Sequence, residues 1–422
     1  MLPLFVLTLF VLLIDLYTFK GLKACLKRPV NAGIKLFFRL IYWLVPFLLI
    51  ASVIFVIYIK PVETNPRIFN GYFYIVAFTL LFYIPKLVFI SFHLIEDLIF
   101  VTEKTLNIIF DYLRRFDKTR FYPSLLTNRR VFISRTGIII AIFPFFVIIY
   151  GMIIGRFDFQ VTEEIVEFRN LPSSFDGLRI VHISDLHIGS FYGYKDKVKR
   201  AVDLINMQNP DIIFFTGDLV NNFTSELDGF IDILAEMKAT YGKFSVLGNH
   251  DYGDYYQWDS EMAKQANMQD MLDAQDKIGF RLLLNEWEGL SINEEKIAII
   301  GVENWGEPPF PRYGDLETAS RGTEDYSFRI LLSHDPSHWD AEVIEKTNID
   351  LTLSGHTHGM QFGIESGNFR WSPSQFKYPR WGGLYKENFQ YLYVTRGLGF
   401  IAFPGRIGMP PEITIIELRA TR

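Results

Sequence analysis

Four long apolar segments occupy the first 155 residues of the chain, and they constrain its fold more than any other feature. They lie at about 2–19, 36–59, 72–92 and 132–154. A helix needs about 20 apolar residues to cross a bilayer, and each segment is close to that length. The first segment lacks both a basic start and a small-residue cleavage site, which favours a membrane helix over a signal peptide. We therefore predict an all-α transmembrane domain of four helices at 1–155 and a second domain at 156–422.

Basic residues are unevenly distributed over the loops that join these segments. The first and third loops are rich in Lys and Arg, whereas the second carries only Lys60 and Arg67. The positive-inside rule places the basic loops in the cytoplasm. This predicts an integral protein of the cytoplasmic membrane with residues 156–422 on the extracytoplasmic side. The stretch 93–131 mixes charged and apolar residues at helical spacing, which predicts an amphipathic helix on the cytoplasmic face.

Two ionisable residues, Asp15 and Lys86, lie at membrane depth within the predicted spans. Such residues can mark a transport path, or they can be structural. The spans otherwise contain few polar residues, which argues against a transporter or receptor in which residues 156–422 are only an accessory.

Composition excludes several functions for the second domain. The formal net charge is −5, so the chain has no basic footprint for a nucleic acid. Its single cysteine, Cys25, lies in the membrane domain. A disulfide framework and a thiolate metal site are therefore excluded from residues 156–422.

Strand-like and helix-like stretches alternate after residue 160. Apolar strand patterns recur at "LRIVHIS", "DIIFFTGD", "GKFSVLGNHD", "FRILLSHD", "IDLTLSGH" and "EITIIELR", with helical patterns between some of them. This alternation predicts an α/β fold in which sheets pack face to face with helices outside.

Five of these strands run into polar clusters, and most do so through glycine. The clusters contain Asp185 and His187, Asp218, Asn249 with His250 and Asp251, His334, and His356 with His358. Functional groups of α/β sheets gather at the carboxyl ends of strands, so these side chains are expected to meet. Buried carboxylates and imidazoles need partners, and no matching Lys or Arg is adjacent. Cations are the partners that this pattern predicts.

The residue types indicate which cations would bind. Imidazole, carboxylate and amide ligands without thiolate suit Mn, Fe or Zn. The ligands are too many for one ion, whereas two divalent ions that share a carboxylate would use them all. Asp218 lies in the middle of the set and is the candidate for the shared carboxylate.

The ordered motifs "DLHIG", "GDLV", "GNHD", "SHD" and "GHTHG" resemble those of the calcineurin-like metallophosphoesterases, over about residues 175–420. The stretch "SSFDGLRIVHISDLHIG" and the tail "RGLGFIAFPGRIGMPPEITIIEL" are similar to the membrane-associated bacterial branch. That branch includes secreted phosphodiesterases and UDP-diacylglucosamine hydrolases. The resemblance implies a four-layered α/β/β/α sandwich.

The resemblance also implies a role for each residue of the clusters. Asp185, His187 and His358 would bind the first metal ion, Asn249, His334 and His356 the second, and Asp218 both. His250 would stabilise the transferring phosphoryl group and protonate the leaving oxygen, with Asp251 as its orienting carboxylate. The implied reaction is hydrolysis of phosphodiester or pyrophosphate bonds by a metal-bridging hydroxide, with manganese among the candidate metals. Lipid-linked and envelope phosphoesters are the candidate substrates, and the sequence does not indicate an oligomeric state.

Two loops rich in aromatic residues, 303–315 and 368–385, are candidates for substrate selection. They could bind a phosphate head group, dip into a membrane interface, or simply cover the edge of a sheet. A metal-binding scaffold without turnover is a further alternative, and the presence of His250 argues against it.

Overall fold

A computed structural model describes residues 2–25, 31–58, 66–113, 126–367 and 369–421. The chain divides into two compact units. The first, here the helical unit, comprises Met1–Val62 and Tyr74–Tyr150. The second, here the α/β unit, comprises Glu63–Phe73 and Gly151–Arg422.

The N-terminal part of the chain forms four helices. They are α1 (Leu2–Cys25), α2 (Ala32–Tyr58), α3 (Pro66–Leu113) and α4 (Leu126–Ile153). Within the described residues, three segments are long and apolar enough to cross a membrane: Ala32–Phe55, Gly71–Ile109 and Val131–Phe157. The prediction of an all-α membrane domain of four helices is confirmed.

The stretch 93–131, predicted as one amphipathic helix, is helical at 93–113 but is not one helix of its own. Residues 93–113 continue α3 without a break, and residues 126–131 already belong to α4. Residues 114–125 lie outside the described part of the chain. With 48 residues, α3 is about 70 Å long. Apolar residues recur at helical spacing in the charged stretch 93–113 as they do in the candidate span before it. The two parts therefore form one continuous helix.

Asp15 and Lys86 are not the isolated ionisable residues that the sequence suggested. Lys86 Nζ lies 2.5 Å from Oδ1 of Asp15, and the Tyr83 hydroxyl donates a 2.7 Å hydrogen bond to Oδ2. Asp15 is fully buried. A charge buried in this way is tolerated when it is paired and hydrogen-bonded, so the pair is explained as a structural contact between α1 and α3.

Two six-stranded sheets form the centre of the α/β unit. The first sheet has the order β1-β14-β2-β3-β4-β5 and the second the order β12-β13-β9-β8-β7-β6, while β10 and β11 form a separate hairpin. The strands are β1 (Gln160–Phe168), β2 (Arg179–Ile183), β3 (Ile212–Thr216), β4 (Lys243–Val246), β5 (Arg281–Leu282), β6 (Glu286–Ile292), β7 (Glu295–Gly301), β8 (Arg329–Leu332), β9 (Leu351–Ser354), β10 (Ile364–Ser366), β11 (Phe369–Trp371), β12 (Gly383–Glu387), β13 (Gln390–Val394) and β14 (Glu412–Ala420).

Helices cover the outer faces of both sheets. They are α5 (Lys195–Met207), α6 (Ile231–Ala235), α7 (Glu261–Ile278) and α8 (Leu316–Ser320). Strand side chains alternate between faces, and β3 shows the result. Phe214 joins the core between the sheets, whereas Phe215 packs among residues of α5 and α7. On the other side, Trp339 and residues of α8 cover the second sheet. The predicted four-layered sandwich is confirmed.

Strand direction brings the polar clusters to one edge of the sandwich. β2, β3 and β4 are parallel neighbours in the first sheet, and β8 and β9 are parallel neighbours in the second. The carboxyl ends of parallel strands lie at the same edge of a sheet. The residues that follow these five strands therefore converge.

Candidate metal centre

The polar residues sit on sharp turns that leave the strands. Five non-glycine residues adopt left-handed backbone conformations there: Asp185 (φ 53°), His187 (φ 46°), Asp218 (φ 58°), His356 (φ 71°) and His358 (φ 49°). Such conformations cost of order 1–3 kcal/mol each and cluster at functional sites. The turns direct several side chains away from their own strands towards a common point.

Two glycines make room for the carboxylates at these turns. A Cβ atom on Gly248 would overlap Oδ1 of Asp218, and one on Gly355 would overlap Oδ2 of Asp185. Glycine is required at both positions because the backbone passes directly against a functional side chain.

The first group of candidate ligands consists of Asp185, His187 and His358. Their ligand atoms all lie within 4.8 Å of one another. Nε2 of His358 is 3.3 Å from Oδ1 of Asp185 and 3.1 Å from Nε2 of His187. All three residues are buried.

The second group consists of Asp218, His334 and His356, with ligand atoms again within 4.8 Å. Nε2 of His334 lies 3.2 Å from Oδ2 of Asp218 and 3.3 Å from Nδ1 of His356. Asn249 follows β4 at the same edge. Its Oδ1 atom is buried and has no hydrogen-bond partner among the described residues, whereas its Nδ2 donates to the Tyr255 hydroxyl at 2.9 Å.

Asp218 connects the two groups through a single oxygen. Its Oδ2 atom lies 3.5 Å from Nε2 of His187 in the first group and 3.2 Å from Nε2 of His334 in the second. Asp218 was predicted as the shared carboxylate from its place in the sequence, and the structure places its Oδ2 within 3.5 Å of a histidine nitrogen in each group.

Hydrogen bonds from outside the cluster determine which ring atoms face it. His187 Nδ1 pairs with the Val220 carbonyl at 3.2 Å, and His334 Nδ1 pairs with the Thr216 carbonyl at 2.6 Å. A carbonyl can only accept, so each Nδ1 carries a proton and each Nε2 faces the cluster. His356 is turned the other way, with Nε2 2.8 Å from the Tyr378 hydroxyl and Nδ1 facing the cluster.

Burial and the neighbouring charges shift the pKa values of the cluster in opposite directions. Burial lowers the pKa of His187 to about 3 and that of His356 to about 4. Burial also acts to lower the pKa of His334, but Asp218 and Asp185 outweigh it and raise that pKa to about 10. Two histidines are thus neutral at pH 7 while His334 forms an ion pair with Asp218.

These residues fit divalent metal ions. The donor set is imidazole, carboxylate and amide oxygen, which suits first-row divalent ions. The buried Asn249 Oδ1 atom without a partner is the clearest sign, because a buried acceptor is normally satisfied. A cation would satisfy it and would also relieve the close approach of the His187 and His358 nitrogens.

His250 borders the cluster, and its backbone N–H donates to Oδ1 of Asp218 at 2.9 Å. The structure gives Asp251 a different role from the predicted one of orienting His250. Its carboxylate accepts backbone N–H bonds at 2.8–3.2 Å from Asp218, Leu219, Val220 and Gly248. The Asn221 carbonyl instead pairs with His250 Nδ1 at 2.7 Å. An acidic residue next to a histidine in the sequence is weak evidence that the two side chains interact. Here a tight turn separates the side chains of His250 and Asp251.

Sequence reasoning missed three residues that contact candidate ligands. Tyr255 bonds Asn249, Tyr378 bonds His356, and Nη2 of Arg406 lies 3.2 Å from Nδ1 of His358. Tyr378 lies in the aromatic loop 368–385 that the sequence had marked, but its partner could not be inferred. Arg406 is buried and donates to the carbonyl oxygens of residues 396, 397, 399 and 409, which shapes the loop beside Asp185.

Comparison with known proteins identifies both parts of the chain. A family model described as "Probable Calcineurin-like phosphoesterase, transmembrane domain" matches residues 1–156, and one described as "Calcineurin-like phosphoesterase" matches residues 178–360. The chain is 32% identical over 270 residues to YkuE, an uncharacterized metallophosphoesterase of Bacillus subtilis, covering 62% of this chain and 86% of YkuE.

Two further relatives show the same combination or the same domain. A Danio rerio transmembrane protein with metallophosphoesterase domain is 30% identical over 278 residues, which is 64% of this chain and 60% of that protein. An uncharacterized metallophosphoesterase of Aquifex aeolicus is 27% identical over 274 residues, which is 62% of this chain and 92% of that protein. The chain therefore belongs to the calcineurin-like phosphoesterases, in the group that carries an N-terminal transmembrane domain.

Proposed function

We propose that the protein is a membrane-anchored two-metal hydrolase of phosphodiester or pyrophosphate bonds. Residues 1–155 anchor it, and residues 156–422 carry out the reaction on the extracytoplasmic side of the cytoplasmic membrane. The observation that carries the proposal is the position of Asp218 Oδ2 between His187 and His334. A carboxylate oxygen close to two separate groups of candidate ligands suits a pair of ions that share one ligand, as in two-metal hydrolytic sites.

The ligands divide between two ions in the proposal. Asp185, His187 and His358 would hold the first ion, Asn249, His334 and His356 the second, and Asp218 would contribute to both. Manganese, iron and zinc all suit this donor set. When bound, the two ions supply charge neutralisation for the phosphate and activation of water.

His250 supplies the proton in the proposed reaction. Its Nδ1 is engaged by the Asn221 carbonyl at 2.7 Å, so Nε2 is the atom that can exchange a proton with substrate. The oxygen of water bonds to phosphorus, the ester P–O bond breaks, and the leaving oxygen takes the proton from Nε2. The ring recovers a proton from the water that attacked, so protons balance over one turnover.

Asp251 supports the centre without touching substrate. Its two oxygens accept four backbone N–H groups around Asp218 and Gly248. It therefore holds the two turns that carry Asp218 and Asn249 at a fixed separation. Positioning of this kind, rather than proton transfer, is the role we assign to Asp251.

Hydrolysis by the full-length protein tests the proposal. The detergent-solubilised protein is stripped with a chelator, reloaded with Mn²⁺, and given an aryl phosphomonoester and an aryl phosphodiester. A His250→Ala variant should retain its metal but lose at least about 100-fold in turnover, the lower end of the range for general acid catalysis. Equal turnover by the variant would show that His250 has no catalytic role. A wild-type protein that binds metal but hydrolyses neither ester would support the non-catalytic scaffold.

A further inference from the structure

We propose that the edge of the α/β unit that carries the metal centre docks onto the lipid bilayer. It does so through an apolar surface, here the interfacial surface, formed by Met360, Phe362, Ile364 and Phe369. The proposal rests on the proposed function for the reaction itself, but the docking stands on separate observations. It makes the substrate a phosphoester whose apolar part remains in the membrane.

The first observation is the direction in which the chain leaves the membrane. The third candidate span ends at Phe157, and β1 begins at Gln160. Gln160 pairs with Glu412 at the start of β14, and β14 runs antiparallel to β2. The start of β1 therefore lies at the same edge as the carboxyl end of β2, where Asp185 stands.

The opposite edge of the sandwich lies far from the exit of the span. β1 has nine residues, which corresponds to about 30 Å of strand. Its far end, Phe168, pairs with Ala420 at the end of β14. The metal-bearing edge is thus the one at which the chain enters the sandwich from the candidate span.

The second observation is a chain of backbone hydrogen bonds from the span to the interfacial surface. The carbonyl of Gly151, within the span, accepts a 3.1 Å bond from Arg406 N–H. The next residue, Ile407, bonds to the Gln361 carbonyl at 2.8 Å and to Gly363 N–H at 2.9 Å. Residues 361–363 are therefore linked through residues 406 and 407 to Gly151, which lies within the candidate span.

Four side chains around this segment are apolar and exposed, while the charged residues of the same hairpin, Glu365 and Arg370, pair with each other at 3.0 Å. The exposed fractions are 49% for Met360, 38% for Phe362, 53% for Ile364 and 58% for Phe369. Ile364 pairs with Trp371 and Ser366 with Phe369, so Ile364 and Phe369 lie on the same face of the hairpin. Exposed apolar side chains grouped on one face indicate an interaction site, whereas scattered single ones need no explanation. Continuity with the span indicates the bilayer as the occupant, in preference to a second copy of the chain or a soluble protein.

The interfacial surface is directly connected to the metal centre. Met360 is exposed, whereas His358, two residues earlier, is buried among the candidate ligands. Gly359, Met360 and Gln361 all have positive φ angles, so the chain turns sharply between the two. A phosphate held at the depth of lipid head groups would therefore lie close to the metal ligands while its acyl chains stay in the membrane.

Depth measurement with a spin label tests the docking without reference to catalysis. Cys25, the only cysteine, is replaced by serine, and a nitroxide is attached through Phe369→Cys in the full-length protein. The matched control is Phe389→Cys, because Phe389 is 72% exposed and lies in the turn between β12 and β13. Both proteins are placed in vesicles of phosphatidylethanolamine and phosphatidylglycerol. The label is then relaxed with oxygen, which concentrates in lipid, or with a water-soluble nickel chelate.

We expect oxygen to relax the label at 369 more than the nickel chelate does, and the reverse at 389. Nickel-dominated relaxation at both sites would overturn the proposal. Shielding from both reagents at 369, with spin–spin broadening between labels, would also overturn it and would assign the surface to a second copy of the chain.

A pair of substrates tests the consequence for catalysis. Methyl p-nitrophenyl phosphate is soluble, while hexadecyl p-nitrophenyl phosphate has the same reacting group and inserts in vesicles. In the Ile364→Ser, Phe369→Ser double variant we expect hydrolysis of the hexadecyl ester to fall about tenfold, because bilayer binding scales with buried apolar area. Hydrolysis of the methyl ester should be unchanged, and Phe389→Ser should affect neither.

The two tests fail in distinguishable ways. Equal rates of hexadecyl ester hydrolysis in wild type and double variant would contradict the membrane-bound substrate. No hydrolysis of either ester by the wild type would contradict the proposed function. The spin-label depth measurement would still test the docking independently. A double variant that loses hydrolysis of both esters would indicate a folding defect. The spin label at residue 369 would then decide whether the interfacial surface contacts the bilayer.

Discussion

Nε2 of His334 lies 3.2 Å from Oδ2 of Asp218, and the two form a buried ion pair at the centre of the site. The pair couples the two sheets, since Asp218 follows β3 in the first and His334 follows β8 in the second. The same contact holds a proton where the second ion is proposed to bind. Metal binding and the protonation of His334 are therefore in competition.

Proton release on metal binding follows from this competition. Asp218 and Asp185 overcome the effect of burial and raise the pKa of His334 to about 10, so its ring is protonated at pH 7.5. Burial keeps the pKa of His187 near 3 and that of His356 near 4, so these rings have no proton to lose. Loading the metal-free protein at pH 7.5 should release about one proton per chain, namely that of His334.

Calorimetry of Mn²⁺ binding in two buffers of different ionisation enthalpy measures this release. The His334→Ala variant serves as the control and should release markedly less. The absence of proton release by the wild type would show that His334 is neutral in the metal-free protein.

The stability of the metal-free protein should depend on pH in the acid range. His187 and His356 have folded pKa values of about 3 and 4, lowered by burial from the ordinary 6.5. Below pH 6.5 the unfolded chain takes up protons that the folded protein cannot. The free energy of unfolding should therefore fall between pH 6.5 and 4, by about 1.4 kcal/mol per pH unit for each histidine.

Thermal unfolding of the chelator-treated protein, followed by tryptophan fluorescence from pH 4 to 8, checks the acid effect. His334 contributes with the opposite sign: its stabilisation is present below pH 6.5 and lost as the pH rises through about 10. A melting temperature that stays constant between pH 6.5 and 4.5 would contradict the assignment of His187 and His356 as buried neutral rings.

The two tyrosines that bond candidate ligands should affect metal affinity. Tyr378→Phe removes the hydroxyl that holds Nε2 of His356, and Tyr255→Phe removes the one that holds Nδ2 of Asn249. Outer partners of metal ligands typically contribute 10–100-fold to affinity, so each variant should bind Mn²⁺ about tenfold more weakly. Titration of the stripped protein measures this, with the exposed Tyr241→Phe as the control. Unchanged affinity in both variants would show that the hydroxyls do not orient the ligands.

Gly248 should tolerate no side chain. A Cβ atom there would overlap the Asp218 carboxylate, whereas one on Gly382 would meet its nearest neighbour, Arg370 Nη2, at 3.6 Å. Gly248→Ala should therefore displace Asp218 and lower Mn²⁺ affinity by about 100-fold or more. Gly382→Ala should bind metal as the wild type does. Normal metal binding by Gly248→Ala would mean that Asp218 can move without loss of the site.

Much of the α/β unit could be predicted from the sequence because its central strands are buried on both faces. β3 and β9 are fully buried, and each ends in glycine followed by a polar residue. Runs of this kind leave few alternatives for secondary structure or for the edge where the polar residues meet. The convergence of seven candidate ligands followed from strand direction alone.

Helix α7 could not be predicted from hydrophobic periodicity. Its buried side chains include Asn267 and Gln275, so its inner face is not an apolar stripe. The residues at its two ends are typical of helix termini. The Ser260 side chain accepts a hydrogen bond from Ala263 N–H at the start, and Gly279 has a left-handed backbone conformation (φ 89°) at the end. Capping residues thus indicated a helix where the hydrophobic pattern did not.

The residues that support the ligands lay beyond the reach of the sequence. Tyr255 and Tyr378 come from loops, and their contacts with Asn249 and His356 depend on how those loops pack. Arg406 reaches His358 from 48 residues away along the chain. No local pattern indicates such contacts, whereas the ligands themselves are marked by the strand ends.

The most direct test of the account is to count metal ions and measure diester hydrolysis in the same preparations of full-length wild-type and Asp218→Asn protein. We predict about two ions per wild-type chain, because two groups of ligands share one carboxylate. Asp218→Asn should hold fewer than one ion and lose more than about 100-fold in hydrolysis, since removal of an outer partner alone can cost that much. A wild type that binds a single ion, or an Asp218→Asn protein that keeps two ions and its activity, would contradict the shared two-metal centre.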